Sequence, residues 1–127
     1  MLYDSDGKEI ERDAVQINAP VGDDVVGRIK ELFLGGLLIF KQQRRVEPFF
    51  VRDIIGGVNH DWIGIAPIEL YNAYAKDPSC EDPFVEAGFV AGRIFKATLI
   101  EHSDRYQLIG YITDDYGKRR AQYRILS

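Results

Sequence analysis

Six side chains that can bind a ligand lie close together near the middle of this sequence. They are Arg52, Asp53, Asn59, His60, Asp61 and Trp62. A tryptophan beside charged and amide side chains suits a binding groove, because the indole forms an apolar platform while the polar groups orient the ligand. We therefore take these six residues as the candidate binding surface.

A structural role is the alternative for Trp62. Large aromatic side chains are mostly buried, and Ile63 and Ile65 continue an apolar path after the tryptophan. Successive side chains of an extended chain point to opposite sides, so Trp62 can enter the core while Asp61 faces solvent. We predict this arrangement, with Gly56 and Gly57 forming the turn that precedes it.

No recognised metal or catalytic motif accompanies the two histidines, His60 and His102. Neither lies in a metal-binding pattern such as HExxH, and a site built from His60, Asp61 and His102 would require two distant segments to meet. Gly56 and Gly57 are not followed by the lysine and hydroxyl residue of a phosphate-binding loop. We predict no catalytic residues, no metal and no cofactor.

The single cysteine, Cys80, excludes an intramolecular disulfide, and its acidic neighbours favour an unreactive loop thiol. The formal net charge of −4 argues against nucleic acid as a partner. In the basic segment 118–124, polar positions 120, 122 and 124 alternate with apolar positions 121, 123 and 125, which is typical of the solvent side of a strand. The N-terminal segment is acidic and no apolar run approaches membrane-spanning length, so we expect a cytoplasmic protein.

Hydrophobic periodicity and turn residues predict the elements that would position these residues. Asp23 caps a helix that Gly35 and Gly36 are expected to end, and Pro67 and Asp82-Pro83 begin two more. The predicted helices cover residues 23–34, a segment from 67 to about 76, and 83–92. The segment 84–100 fits both helix and strand, and we assign a helix to about residue 92 and a strand from residue 94. The predicted strands cover residues 14–17, 37–41, 46–52, 94–101, 106–113 and 120–126, with a small hairpin formed by residues 2–3 and 9–10.

These elements predict one α+β domain over residues 1–127. Its antiparallel sheet would have five or six strands, ending in a C-terminal β-meander, with two or three helices on one face. Segregated charge and the absence of a catalytic motif favour a protein–protein interaction or self-associating module without evident catalytic machinery. The alternative is a small-molecule-binding domain or enzyme with a pocket at residues 53–62.

Overall fold

The computed structural model describes residues 1–43, 48–55, 66–113, 117 and 119–126 of the chain. Within these ranges the protein is an α+β domain with four α-helices and a three-stranded mixed sheet. The elements in chain order are β1 (Leu2–Tyr3), a short 3-10 helix (Arg12–Ala14), α1 (Asp23–Gln43), α2 (Val51–Ile55), α3 (Ile68–Ala75), α4 (Pro83–Glu101), β2 (Tyr106–Thr113) and β3 (Arg119–Ile125).

The sheet has the order β1-β2-β3 and combines two kinds of pairing. β1 runs parallel to β2, with Leu2 opposite Tyr106, and β2 and β3 form an antiparallel C-terminal hairpin. Phe49 adds an isolated antiparallel bridge to the outer side of β3, exchanging two 2.9 Å backbone hydrogen bonds with Tyr123. The prediction of an antiparallel sheet of five or six strands was therefore wrong for the described residues, although the α+β class and the last two strands are confirmed.

The first helix is longer than predicted. Gly35 and Gly36 do not end α1, and residues 37–41, predicted as a strand, form its last turns. Phe33 and Leu37 are almost fully buried one turn apart, and this burial outweighs the cost of about 1 kcal/mol per helical glycine. Gly36 instead allows a close approach to α2, because a Cβ at this position would lie 2.6 Å from Cγ2 of Ile54.

A second correction concerns residues 94–101, which were predicted as a strand and belong to α4. The predicted start is confirmed, because the Asp82 carboxylate accepts a hydrogen bond from the Val85 amide and Pro83 occupies the first turn. Burial at helical spacing then continues through Ala91, Ile94 and Thr98. Tertiary packing overrides the preference of β-branched residues for strands. Without that strand, the predicted meander is a two-stranded hairpin.

Three shorter predictions had mixed outcomes. The predicted strand at residues 14–17 was wrong, because Ala14 ends the 3-10 helix and residues 15–17 have no regular structure. Of residues 46–52, Phe49 contributes only its bridge to β3 and Val51 begins α2, whereas residues 46 and 47 lie outside the described residues. The N-terminal hairpin is present as a single Tyr3–Glu9 bridge.

The hydrophobic core is built around α4, whose Phe95 is fully buried. The Phe95 ring packs edge-on against Phe33 of α1 at 5.0 Å between ring centroids and against Tyr123 of β3 at 5.5 Å. Phe49 lies 5.9 Å from the Tyr123 ring, so the bridge residue belongs to the same aromatic cluster. None of the helices in the described ranges combines the length and the apolar character needed to cross a bilayer.

Candidate interaction surface

One side of α1 presents apolar side chains to solvent. Residues 32–40 contain no charged side chain, so this part of the helix is apolar all round. Its inner side packs into the core, whereas Leu34, Leu38 and Ile39 remain 39%, 58% and 53% exposed. A helix that is apolar on every side is normally covered on every side. The outer side therefore has the composition of a binding surface rather than of an ordinary solvent-facing helix.

Gly35 lies in the middle of these exposed side chains. Positions 34, 35, 38 and 39 of a helix share one face because three or four residues complete a turn. A Cβ placed on Gly35 would meet no atom within 4 Å among the described residues, so the surface is indented there. We call Leu34, Gly35, Leu38 and Ile39 the α1 patch. It offers a protruding Leu38 next to an indentation, which suits contact with another apolar surface.

The structure describes two of the six residues in the predicted binding surface. Arg52 and Asp53 lie on α2, where both contact Phe50. The Arg52 guanidinium lies 5.4 Å from the Phe50 ring centroid. The Asp53 carboxylate accepts a 2.8 Å hydrogen bond from the Phe50 amide. These contacts organise the start of the short helix. Asn59, His60, Asp61 and Trp62 lie outside the described residues, as do Gly56 and Gly57, so the predicted burial of Trp62 stays a prediction.

A polar cluster that the sequence did not reveal lies where α1, α4 and β2 meet. The Lys41 ammonium at the end of α1 lies 2.5 Å from Oδ2 of Asp104 and donates to the Tyr106 hydroxyl, also at 2.5 Å. The Tyr106 hydroxyl is 3.3 Å from Nδ1 of His102, and the same nitrogen accepts a 3.1 Å hydrogen bond from the Asp104 amide. We call Lys41, His102, Asp104 and Tyr106 the polar corner.

Burial and hydrogen bonding shift the pKa values in the polar corner. Burial alone would lower the pKa of Lys41, but its hydrogen bonds to Asp104 and Tyr106 outweigh this and raise it. The hydrogen bond from Lys41 lowers the pKa of Asp104, and burial raises the pKa of Tyr106 and lowers that of His102. Near neutral pH, the cluster therefore holds a charged lysine and carboxylate beside a neutral imidazole and phenol.

Sequence reasoning missed the polar corner because its members are far apart in the chain. Lys41 was predicted to end a strand, and it is separated from Asp104 by 63 positions. The only local signal was the alternation of His102, Asp104 and Tyr106 at the start of a predicted strand. Among the described residues no group of three or more histidine, cysteine or acidic side chains is arranged to hold a metal ion.

A half-open groove of about 470 Å³ runs between residues 12–21 and the first turns of α1. Arg12 and Lys30 line one end, where both contact the Glu101 carboxylate, Lys30 at 2.7 Å and Arg12 at 3.4 Å. Gly27 forms part of the groove wall, and a Cβ there would meet no atom within 4 Å in the described part of the chain. The groove falls within the size range of small-molecule sites, and it lies outside the predicted 53–62 site.

Comparison with known protein families, curated proteins and solved structures found no match to this chain.

Proposed function

We propose that this protein is an interaction module that associates with a second copy of itself through the α1 patch. The observation that carries the proposal is the exposure of Leu34, Leu38 and Ile39 on one face of a helix that is apolar all round. Apolar residues grouped on one face, rather than scattered singly, are typical of a contact surface.

Self-complementarity favours a second copy as the partner. In a symmetric dimer the same patch of each copy faces the other copy. If one residue of the first copy contacts a different residue of the second, the same pair also meets with the two copies exchanged. Leu38 and Gly35 are one turn apart on α1. A two-fold axis passing between them, with the helices antiparallel, sets each Leu38 over the indentation at the partner's Gly35. One protrusion and one indentation on each copy then complete each other.

The exposed area predicts a weak dimer. The three partial exposures amount to about one and a half fully exposed side chains. At about 1.5–3 kcal/mol for each buried side chain, the two copies together gain roughly 4–9 kcal/mol. Association costs at least about 4 kcal/mol in lost freedom, which leaves a dissociation constant on the order of 100 μM or weaker. This strength is that of a transient rather than a permanent interface.

Sedimentation velocity over a concentration series tests the proposal. We expect the wild-type protein to shift from monomer towards dimer as its concentration rises from about 10 μM to about 1 mM, because this range surrounds the strongest association that the estimate allows, a dissociation constant on the order of 100 μM. Leu38→Glu should remain monomeric throughout, because a buried carboxylate would face an apolar surface. Phe89→Glu is the matched control, since Phe89 is a similarly exposed apolar residue on α4.

Two results would contradict the proposal. One is a wild-type protein that stays monomeric across the series. The other is a Phe89→Glu variant that loses association as completely as Leu38→Glu, which would show that the effect is not specific to the α1 patch. Circular dichroism of both variants establishes that each is folded before the comparison is made.

Small-molecule binding is the second candidate function, and the groove beside α1 is the observation that favours it. A ligand bound there would stabilise the folded protein by mass action. A thermal-shift screen of metabolites, nucleotides and sugars tests this candidate, with Gly27→Leu as a variant that fills the groove. A stabilising compound whose effect survives Gly27→Leu binds elsewhere, and a screen without a stabilising compound counts against this candidate.

A further inference from the structure

We propose that His102 makes the polar corner pH-sensitive: its neutral imidazole holds the connection between α4 and β2 in place, and protonation of Nδ1 breaks that connection's hydrogen bonds. This inference goes beyond the proposed dimer and does not depend on it. It follows from the direction of the hydrogen bonds around one ring nitrogen.

The hydrogen-bond partners of Nδ1 define its protonation state. The Asp104 amide can only donate, so Nδ1 must accept at 3.1 Å and must carry no proton. The Tyr106 hydroxyl already accepts a hydrogen bond from the Lys41 ammonium, which leaves its own proton free to point at Nδ1, 3.3 Å away. The hydrogen bonds therefore run in one direction, from Lys41 to Tyr106 to His102, and the imidazole proton lies on Nε2.

The charges around His102 come from each element that meets at the corner. Lys41 of α1 is cationic. The Met1 amino group next to β1, whose pKa burial lowers, donates to the carbonyls of Leu99, His102 and Asp104. The Asp104 carboxylate is the only acidic group facing the ring among the described residues, with Oδ2 3.8 Å from Nδ1. Its charge is already matched by Lys41, so it offers an imidazolium little additional stabilisation.

Protonation would replace the accepting lone pair by an N–H group that faces the Asp104 amide, which can only donate, and the proton of the Tyr106 hydroxyl. The Asp104 amide would lose its partner, and the Tyr106 hydroxyl would have to turn away from the ring. These hydrogen bonds fix the residues between α4 and β2. Their loss would therefore weaken the place where the N-terminus, α4, β2 and the end of α1 meet. We expect local opening of this corner in acid before the rest of the fold is affected.

The sign of the pH dependence follows from burial. Burial lowers the pKa of His102, with Lys41 and the amino terminus acting in the same direction and Asp104 opposing them. The unfolded chain, with a histidine pKa near its ordinary value of 6.5, therefore takes up the proton first as the pH falls. The stabilisation is complete above that value and is lost progressively as the pH falls below it.

The test compares urea unfolding midpoints at pH 7.5 and pH 5.5 for the wild type, His102→Asn and His60→Asn. Asparagine places an amide oxygen close to the position of Nδ1, so it keeps an acceptor that cannot be protonated in this range. We expect the wild type and His60→Asn to lose stability on acidification, and His102→Asn to lose clearly less. An equal loss in His102→Asn would overturn the proposal.

A direct titration keeps the proposal testable if His102→Asn does not fold. The wild-type protein contains two histidines, so the imidazole proton resonances can be followed by NMR, with His60→Asn assigning the remaining signal to His102. A His102 pKa below its ordinary value, with Nε2 as the protonated nitrogen of the neutral ring, supports the proposal. A pKa at or above the ordinary value, or a proton on Nδ1, would refute it.

Discussion

Two buried tyrosines allow the value of a buried hydroxyl to be measured within one sheet. Tyr106 of β2 and Tyr123 of β3 are both at most 1% exposed. The Tyr106 hydroxyl contacts Lys41 and His102, whereas the Tyr123 hydroxyl has no hydrogen-bond partner among the described residues and its ring packs against Phe49 and Phe95. Replacing each tyrosine by phenylalanine removes the hydroxyl and keeps the ring.

The two substitutions should act in opposite directions. Tyr106→Phe removes a hydrogen bond to a charged ammonium as well as one to an imidazole, and we expect it to lower the free energy of unfolding by about 2 kcal/mol. Tyr123→Phe removes a buried hydroxyl that makes no compensating bond within the described part of the chain, so it should raise the free energy of unfolding by up to about 1 kcal/mol.

Urea unfolding followed by circular dichroism measures both effects. With a denaturant slope of about 1–3 kcal/mol per molar, a difference of about 3 kcal/mol separates the two midpoints by roughly 1–3 M. A Tyr123→Phe variant that is less stable than the wild type by 1 kcal/mol or more would show that the hydroxyl is hydrogen-bonded. An unchanged Tyr106→Phe variant would show that the Tyr106 hydroxyl contributes nothing to stability.

Alkaline pH provides an independent check on Tyr123. Burial raises the pKa of its phenol well above the ordinary value of 10. Below pH 10 the phenol is protonated in both the folded and the unfolded protein. Above pH 10 the phenol ionises only in the unfolded protein, so the free energy of unfolding of the wild type falls as the pH rises. The advantage of Tyr123→Phe over the wild type should therefore grow above about pH 10.

Further substitutions test the helices. Gly35→Ala should raise the free energy of unfolding by about 0.5–1 kcal/mol, because the new Cβ meets open space and alanine favours helix. Gly36→Ala should lower the free energy of unfolding, because its Cβ would lie 2.6 Å from Ile54. Equal effects in the two urea titrations would contradict the packing described for α2. Asp82→Ala should cost about 1 kcal/mol, because it removes the side-chain acceptor for the Val85 amide at the start of α4. An unchanged urea midpoint in Asp82→Ala would show that this cap is not needed.

Local sequence signals located the starts of three of the four α-helices that the structure describes, all except α2. An aspartate before the first apolar turn marked the start of α1 at Asp23, and Asp82 followed by Pro83 marked the start of α4. Pro67 was one residue from the first residue of α3. These signals succeed because capping depends on neighbouring residues and on backbone groups that every helix leaves unpaired.

The same kind of reasoning failed where a residue's role depends on what packs against it. Gly35 and Gly36 resemble a helix end, but α1 continues through them because Leu37 is buried against the core and Gly36 makes room for Ile54. Residues 94–101 contain the β-branched side chains of a strand, yet burial at helical spacing keeps them in α4. Both errors turned helix into strand and inflated the predicted sheet.

The sequence by itself determined the α+β class, the C-terminal hairpin and the starts of α1, α3 and α4, because each depends on residues that are neighbours in the chain. Arg52 and Asp53 lie on α2, and their predicted role in binding stays a prediction. Tertiary structure alone decided that the outer side of α1 is left exposed and that Lys41 meets Asp104 and Tyr106. The physical reason is distance along the chain: more than sixty residues separate Lys41 from its partners, and only the packing of α1 against α4 and β2 brings their charges within hydrogen-bonding range.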